Sequence, residues 1–129
     1  MQSDVLSDAL SAMKNAFRSG KRECEIRPSS KMVRDVLLVM QKNGYVGVFE
    51  EIEDGRGGSF KVTITELFND TSSVKPRVLV KKVDFLHYEK RFLPAREFGL
   101  LILSTSQGVM AHTEAKKKGI GGALLAYVF

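Results

Sequence analysis

The sequence predicts an α+β fold made of two small domains. Two observations predict it. Apolar residues recur at helical spacing in two early segments and alternate with a period of two from Tyr45 onward, and the charge balance changes near residue 70. Residues 1–70 contain 10 Lys and Arg against 11 Asp and Glu, whereas residues 71–129 contain 10 against 4. A polar stretch over residues 66–75 lies at this change, which divides the chain into domains of residues 1–68 and 69–129.

The first two elements are a helix and a short strand. The helix follows Ser3 and ends at Gly20, because apolar residues recur there with the period of one helix face. A strand over residues 23–27 follows, and Pro28 ends it. The apolar face of the helix consists of Val5, Leu6, Ala9, Leu10, Met13, Ala16 and Phe17.

A second helix begins after Ser29 or Ser30, either of which is a good N-cap, and it ends at Asn43 with Gly44 as its stop. Its apolar positions are typical of a core face. They are Met32, Val33, Val36, Leu37 and Met40.

A β-hairpin follows the second helix. Val46, Val48 and Ile52 alternate on its first strand, and Phe60, Val62 and Ile64 alternate on its second. The glycines of the connecting residues 54–58 resemble a phosphate loop, but no Lys-Ser/Thr pair and no helix follow them, and acidic neighbours would repel phosphate. We therefore interpret this loop as a turn.

In the C-terminal half, the apolar pattern predicts strands over residues 78–83, 100–103 and 123–129. Residues 85–92 fit either a helix or an ordered loop, and Pro94 bars a helix from continuing. A short helix over residues 113–118 ends at Gly119.

Composition narrows the classes of function. Cys24 is the only cysteine, which excludes an intramolecular disulfide and a four-cysteine zinc site, and we expect it to be a small buried apolar residue. The N-terminus lacks the pattern of a secretory signal, and no stretch has the length of a membrane span, so we expect a cytoplasmic protein without a membrane partner. The net charge of +5 comes from the C-terminal half, which favours a polyanionic partner such as nucleic acid.

Residues 104–110 and 116–122 place hydroxyls, glycines and lysines close together. Ser104 and Ser106 would project on one side of an extended segment, and Thr105 on the other. Such hydroxyls suit a strand-end turn or hydrogen bonds to RNA. A small phosphate-ester-binding or hydrolytic enzyme using the serine and glycine turns is the alternative, with His87 or His112 as its only imidazole base.

The remaining candidate residues suit either phosphate contact or a structural role. The glycines at 119, 121 and 122 permit close backbone approach and could offer amides to a phosphate, while Lys116, Lys117 and Lys118 add charge. His112 and Glu114 are too isolated to predict a metal centre. For Tyr127 and Phe129, packing is favoured over base stacking. A domain that only binds other proteins is a third possibility, in which the charge would be spread diffusely over the surface.

Several motifs together resemble small-subunit ribosomal protein eight, most closely its archaeal members within an archaeal and eukaryotic branch. The resemblance extends through most of the chain. Its motifs are Asp8-Ala9-Leu10, Asn15, Pro28-Ser29-Ser30-Lys31, Gly44-Tyr45, Lys75-Pro76-Arg77, Leu93-Pro94-Ala95-Arg96-Glu97-Phe98-Gly99, Ser104-Thr105-Ser106-Gln107-Gly108-Val109-Met110, His112-x-Glu114-Ala115, Gly121-Gly122 and Ala126-Tyr127-Val128-Phe129.

The resemblance implies a non-enzymatic constituent of the small ribosomal subunit. It implies an N-terminal αβαββ domain, a mostly β C-terminal domain, and binding to a helical element in the central domain of small-subunit ribosomal RNA during assembly. Neighbouring small-subunit ribosomal proteins and the protein's own messenger RNA are implied partners. No cofactor and no metal are needed, and outside the ribosome we expect a monomer.

The resemblance also assigns residues to RNA contact. The hydroxyl loop would meet the minor groove of an RNA helix, with further contacts from the paired glycines, the lysines and the N-terminal domain. The assigned residues are Ser104, Thr105, Ser106, Gln107, Gly108, Gly121, Gly122, Lys116, Lys117, Ser29, Ser30, Lys31 and Asn15.

The chain departs from the family pattern at two places. Many relatives carry a polar or charged side chain after the paired glycines, where this chain has Ala123. Residues 66–74 also differ from the glycine- and asparagine-containing linker that the family pattern leads us to expect.

Overall fold

A computed structural model describes residues 4–95 and 98–129, so Arg96 and Glu97 of the family-like motif lie outside the described residues. Helices and strands alternate in the first half, and strands dominate the second. The helices are α1 (Val5–Arg18), α2 (Lys31–Lys42), α3 (Phe85–Phe92) and α4 (His112–Lys118), with a 3₁₀ turn at Lys82–Asp84. The strands are β1 (Glu23–Ile26), β2 (Val46–Ile52), β3 (Ser59–Ile64), β4 (Thr71–Ser73), β5 (Leu79–Val80), β6 (Leu100–Thr105), β7 (Gly108–Ala111) and β8 (Gly122–Val128).

The two N-terminal helices match the predicted positions. Ser3 lies outside the described residues, and the carboxylate of Asp4 caps α1 by accepting a hydrogen bond from the Ser7 N–H at 3.1 Å. Ser30, rather than Ser29, caps α2, because its hydroxyl accepts from the Val33 N–H at 3.1 Å. Both helices bury their apolar faces.

The N-terminal sheet has the strand order β1-β3-β2, and all its pairs are antiparallel. The prediction that Val48 shares an inward face with Val46 is wrong, since the Val48 side chain is 77% exposed. A bulge causes this difference: Val46 pairs with Ile64, but Phe49, three residues later, pairs with Val62. The extra residue reverses which side chains of β2 face inward, so that Phe49 packs against the core.

The C-terminal sheet has the strand order β4-β8-β6-β7, with β5 also paired to β8. The predicted strand over residues 78–83 is reduced to Leu79 and Val80, because a 3₁₀ turn follows at once. Residues 85–92 form a helix, the first of the two possibilities that the sequence left open.

The stretch over residues 66–75 contains β4, so it is not simply an irregular connection. Thr71 is buried, and its hydroxyl donates to the carbonyl of Tyr127 at 2.8 Å. The Asn69 and Asp70 N–H groups both donate to the carbonyl of Phe129, at 2.6 and 2.8 Å. Backbone hydrogen bonds therefore tie this polar segment to the last strand.

Each face of the C-terminal sheet covers a separate apolar core. Ile102 and Ala126 face a cluster that they share with α1, α2 and the N-terminal sheet. Leu101 and Leu103, one residue out of phase, face a second cluster with Phe85 of α3. The fold is α+β as predicted, and the exact domain boundary at residue 68 stays a prediction.

No helix among residues 4–95 and 98–129 has both the length and the apolar character needed to cross a membrane.

Candidate nucleic-acid interface

Strands β6 and β7 form a hairpin whose tip is Ser106-Gln107. Thr105 pairs with Gly108 at the end of the ladder, and Ser106 and Gln107 make the two-residue turn. The predicted alternation of Ser104, Thr105 and Ser106 therefore holds only as far as Thr105. Ser106 belongs to the turn and is exposed.

The hydroxyl of Thr105 holds this turn together. It accepts a hydrogen bond from the Gln107 N–H at 3.1 Å and donates to the carbonyl of Gly108 at 2.8 Å. Gly108 has a φ of +110°, a backbone conformation that residues with a Cβ rarely adopt. Thr105 and Gly108 thus define the shape of the tip, while their neighbours present groups outward.

The hydroxyls of Ser104 and Ser106 make no side-chain hydrogen bond to any described residue, and neither does the Gln107 amide. Ser106 and Gln107 are exposed, and Ser104 is half-buried. A serine hydroxyl both donates and accepts hydrogen bonds, so the tip offers groups that fit a ribose 2′-OH, a base edge or a phosphate.

Gly122, the first residue of β8, lies directly beside the hairpin, and Gly121 before it packs against Val80 of β5. A Cβ on Gly122 would stand 2.4 Å from the carbonyl oxygen of Ser104, and a Cβ on Gly121 would stand 2.1 Å from that of Val80. Both positions therefore require glycine. The structure brings the paired glycines and the hydroxyl turn together, and close strand packing explains why a side chain is missing there.

Ala123 occupies the position opposite Ser104 on the neighbouring strand β8. Cross-strand partners project from the same face of a sheet, so residue 123 and the Ser104 hydroxyl share one face. The departure from the family pattern at Ala123 thus leaves a methyl group beside Ser104.

Helix α4 places the three lysines near the same end of β8, and Gly119 ends the helix in a left-handed conformation with φ of +68°. Lys116 is engaged, since its ammonium lies 2.7 Å from a carboxylate oxygen of Glu89. Lys118 lies 3.7 Å from Glu114. Lys117 is exposed and forms no ion pair with the described residues.

The start of α2 approaches the same hairpin from the N-terminal sheet. Lys31 is exposed and lines a cleft of about 370 Å³ together with Gly108 and Val109. The neighbouring serines have structural partners: Ser30 caps α2, and the Ser29 hydroxyl donates to the carbonyl of Gly57 at 2.9 Å. The structure therefore brings Lys31 close to the tip and gives the two serines roles in the N-terminal domain.

Asn15 lies elsewhere. It is exposed on α1 and lines a different cleft with Lys21, Glu23 and Glu25. No described hydrogen bond connects it to the hairpin.

The histidine geometry needed by the enzyme alternative is missing from the described residues. His112 is buried, its Nδ1 accepts from the Leu101 N–H at 3.0 Å, and its Nε2 lies 2.6 Å from Glu89. Both ring nitrogens are thus occupied away from the serines. His87 has no hydrogen bond to a serine among these residues, and they contain no group of three or more His, Cys, Asp or Glu that would hold a metal.

Burial also shifts the pKa of His112 and of the Cys24 thiol. It lowers the pKa of His112, although Glu89 opposes the shift. It raises the pKa of the Cys24 thiol to about 11, which keeps the thiol protonated and unreactive.

Sequence reasoning did not find Glu89, which joins α3 to both His112 and Lys116. An acidic residue within a mixed helical segment gives no signal of such contacts.

The fold and this surface define a class: a small α+β protein that presents a hydroxyl- and glycine-rich hairpin tip beside lysines, as RNA-binding proteins do. A family model described as ribosomal protein S8 matches residues 4–129. The chain belongs to this family, and it is a small-subunit ribosomal protein that binds ribosomal RNA. The family-level resemblance is confirmed, and the enzyme alternative gains no support.

Proposed function

We propose that the hairpin tip is the part of this protein that recognises a helical element in the central domain of small-subunit ribosomal RNA. The observation that carries the proposal is the tip itself. Ser104 and Ser106 offer unengaged hydroxyls among the described residues, on a turn that Thr105 and Gly108 hold in shape. A turn that is already fixed loses little conformational entropy on binding. Little of the free energy gained from its hydrogen bonds to RNA is therefore lost in ordering the turn.

The minor groove of an RNA helix is wide, shallow and lined with 2′-hydroxyls, which fits a short hydroxyl-bearing turn. Gln107 extends from the same turn, and Gly122 lets β8 approach the backbone of Ser104 closely enough to support it. Lysines supply attraction to phosphates without sequence preference. Among them Lys117 is the better candidate, because Lys116 is already paired with Glu89.

The N-terminal domain adds a second part to this interface. Lys31 lies across the cleft from Gly108, so an RNA helix seated on the tip would meet its ammonium. Ser30 accepts from the Val33 N–H and can still donate its proton to a phosphate, whereas Ser29 donates to the Gly57 carbonyl and can only accept, for example from a ribose 2′-OH. Asn15 would contact a separate part of the RNA.

Binding of this kind would rigidify the RNA for later steps of subunit assembly and would also suit a similar structure in the protein's own messenger RNA. We further propose a cytoplasmic protein of the archaeal branch that is monomeric before it joins its neighbours in the subunit.

The test measures binding of an RNA fragment that carries the central-domain helical element. Ser106→Ala should weaken binding by about 1–2 kcal/mol, which is the loss of one interface hydrogen bond. Ser11→Ala is the matched control, because Ser11 is an exposed serine on α1 with no assigned role. Equal affinities of the two variants at several salt concentrations would contradict the assignment of the tip.

A further inference from the structure

A second cleft lies on the side of the C-terminal sheet away from α2, between β4, β8 and α3. Its volume is about 390 Å³, within the usual range for sites that hold small organic groups. Tyr127 projects there from the face that carries the second core, whereas Ser104 lies on the same face as Ile102 and the first core. The cleft is therefore separate from the hairpin tip. The lining residues used below are Lys75, Pro76, Tyr88, Arg91, Phe92 and Tyr127.

The lining of this cleft contains two cations and no acidic residue among those described. Four other clefts of about 350–400 Å³ each include at least one Asp or Glu in their lining. Lys75 is partly engaged, at 2.8 Å from Asp4, but Arg91 is exposed and forms no ion pair with a described residue. The charge of the cleft suits an anionic ligand.

An aromatic column forms one wall. The rings of Phe92 and Tyr127 stack with centroids 5.5 Å apart, and Tyr127 in turn stacks on Phe129 at 6.0 Å. The guanidinium of Arg91 lies 5.2 Å from the Phe92 centroid and closes the column at its outer end. Arginine planes and tyrosine rings are the surfaces on which unpaired RNA bases stack.

The two tyrosine hydroxyls of the cleft remain available for a ligand. The side chains of Tyr88 and Tyr127 are half-buried, and neither hydroxyl has a hydrogen-bond partner among the described residues. A packed core alone would not need two phenols at the edge of a cationic cleft.

We propose that this cleft binds one unpaired nucleotide of RNA, with its base against both Tyr88 and the Arg91 plane and its phosphates near Arg91 and Lys75. A single-stranded bulge or loop could thus be bound at the same time as the helix held by the hairpin tip. The proposal concerns a different surface and a different form of RNA, so it stands or falls separately from the proposed function.

The experiment compares a short fluorescein-labelled oligoadenylate with an RNA duplex of the same length, using fluorescence anisotropy at fixed salt. Arg91→Gln should weaken oligoadenylate binding about tenfold, because one stacked contact and one phosphate contact are lost together. Lys90→Gln is the matched control: it removes the same charge from the neighbouring residue of α3, which does not line the cleft, and should stay within about twofold. Equal losses in both variants, or no preference for the single strand, would overturn the proposal.

The aromatic contribution is tested at Tyr88. Tyr88→Phe should lose about threefold, because the ring remains and only the hydrogen bond of the hydroxyl is removed, whereas Tyr88→Leu should lose more than tenfold because the stacking surface is lost as well. Intrinsic fluorescence gives a second readout that needs no variant, since the chain has 3 tyrosines and no tryptophan. Two of those tyrosines line the cleft, so oligoadenylate should quench their emission. Emission unchanged at saturating oligoadenylate would overturn the stacking.

Two further comparisons identify the ligand and separate the two sites. Oligoadenylate should bind more tightly than AMP, because a nucleotide within RNA is flanked by two phosphates that can lie near Arg91 and Lys75, whereas AMP carries one. Equal binding would indicate a free-nucleotide site and overturn the RNA assignment. Ser106→Ala should leave oligoadenylate binding unchanged, since Ser106 lies at the hairpin tip. A loss there equal to that of Arg91→Gln would show that both probes use the tip, and it would overturn the second site.

Discussion

The carbonyl oxygen of Ser104 lies so close to Gly122 that a Cβ on Gly122 would stand only 2.4 Å from it. The obstacle is backbone rather than the end of a flexible side chain, so it cannot move without shifting β6 relative to β8. The hydroxyl turn therefore depends on a residue that offers no side chain of its own.

Gly122→Ala should lower the free energy of unfolding by about 1–3 kcal/mol, the usual cost of forcing extra atoms into a packed site. It should also weaken RNA binding, since the strand that supports Ser104 must move. Urea unfolding and the RNA-binding measurement check the two effects. Gly55→Ala serves as the control: Gly55 has φ of +73° and open space around it, so the cost is strain of about 1 kcal/mol with no effect on RNA binding. Stability equal to that of the unaltered protein in Gly122→Ala would contradict this account.

Thr105 supports the turn through its hydroxyl rather than through its methyl group. Thr105→Val has nearly the same shape but removes the hydrogen bonds to Gln107 and Gly108, at 3.1 and 2.8 Å. We expect a loss of about 1 kcal/mol in unfolding free energy, and weaker RNA binding because the tip loses its fixed shape. Thr105→Ser keeps the hydroxyl and should retain both properties. If Thr105→Ser binds RNA as weakly as Thr105→Val, the methyl group and not the hydroxyl determines the shape.

His112 makes the stability of the fold depend on pH. Its Nδ1 accepts from the Leu101 N–H, so the neutral form, with the proton on Nε2 toward Glu89, fits the structure. Burial lowers the pKa of His112 below its ordinary value of 6.5 in the folded protein. As pH falls through 6.5 toward the folded pKa, the unfolded chain takes up a proton that the folded chain does not, and stability decreases.

Urea unfolding between about pH 7.5 and 5.5 measures this slope, in a range above that where Asp and Glu carboxylates ordinarily titrate. His112→Asn keeps an acceptor where Nδ1 accepts from the Leu101 N–H, but it should remove the slope. His87→Asn, which removes the exposed histidine, should keep it. An identical slope in both variants would assign the pH dependence to other groups.

The sequence predicted α1, α2 and α4 well because the signals of these helices are local. Ser30, Gly20 and Gly119 mark helix ends through their own backbone and side-chain geometry, and each acts there as expected. The exposed Val48 was not predictable from its alternation, because the bulge depends on how β2 aligns with β3.

The candidate site was found only in part for the same reason. The hydroxyl turn and the paired glycines are visible as types of residue along the chain. Their contact, however, requires that β8 lie beside β6, and the approach of Lys31 to Gly108 requires that α2 pack near β7. Glu89 and the aromatic cleft depend on α3, which the sequence left undecided between helix and loop.

Ala123 provides a test of how the tip contacts RNA, because it faces the same side as Ser104 on the adjacent strand. Ala123→Lys adds a cation there without disturbing the turn, so RNA should bind more tightly. The slope of log affinity against log salt should steepen by about 0.7–0.9, as expected for one additional phosphate contact. Val48→Lys adds the same charge at a 77% exposed position of β2 in the N-terminal sheet, away from every residue assigned to RNA contact, and should leave that slope almost unchanged. Equal steepening in the two variants would mean that overall charge, rather than a position beside Ser104, controls the affinity. That result would place the RNA away from this face of the hairpin.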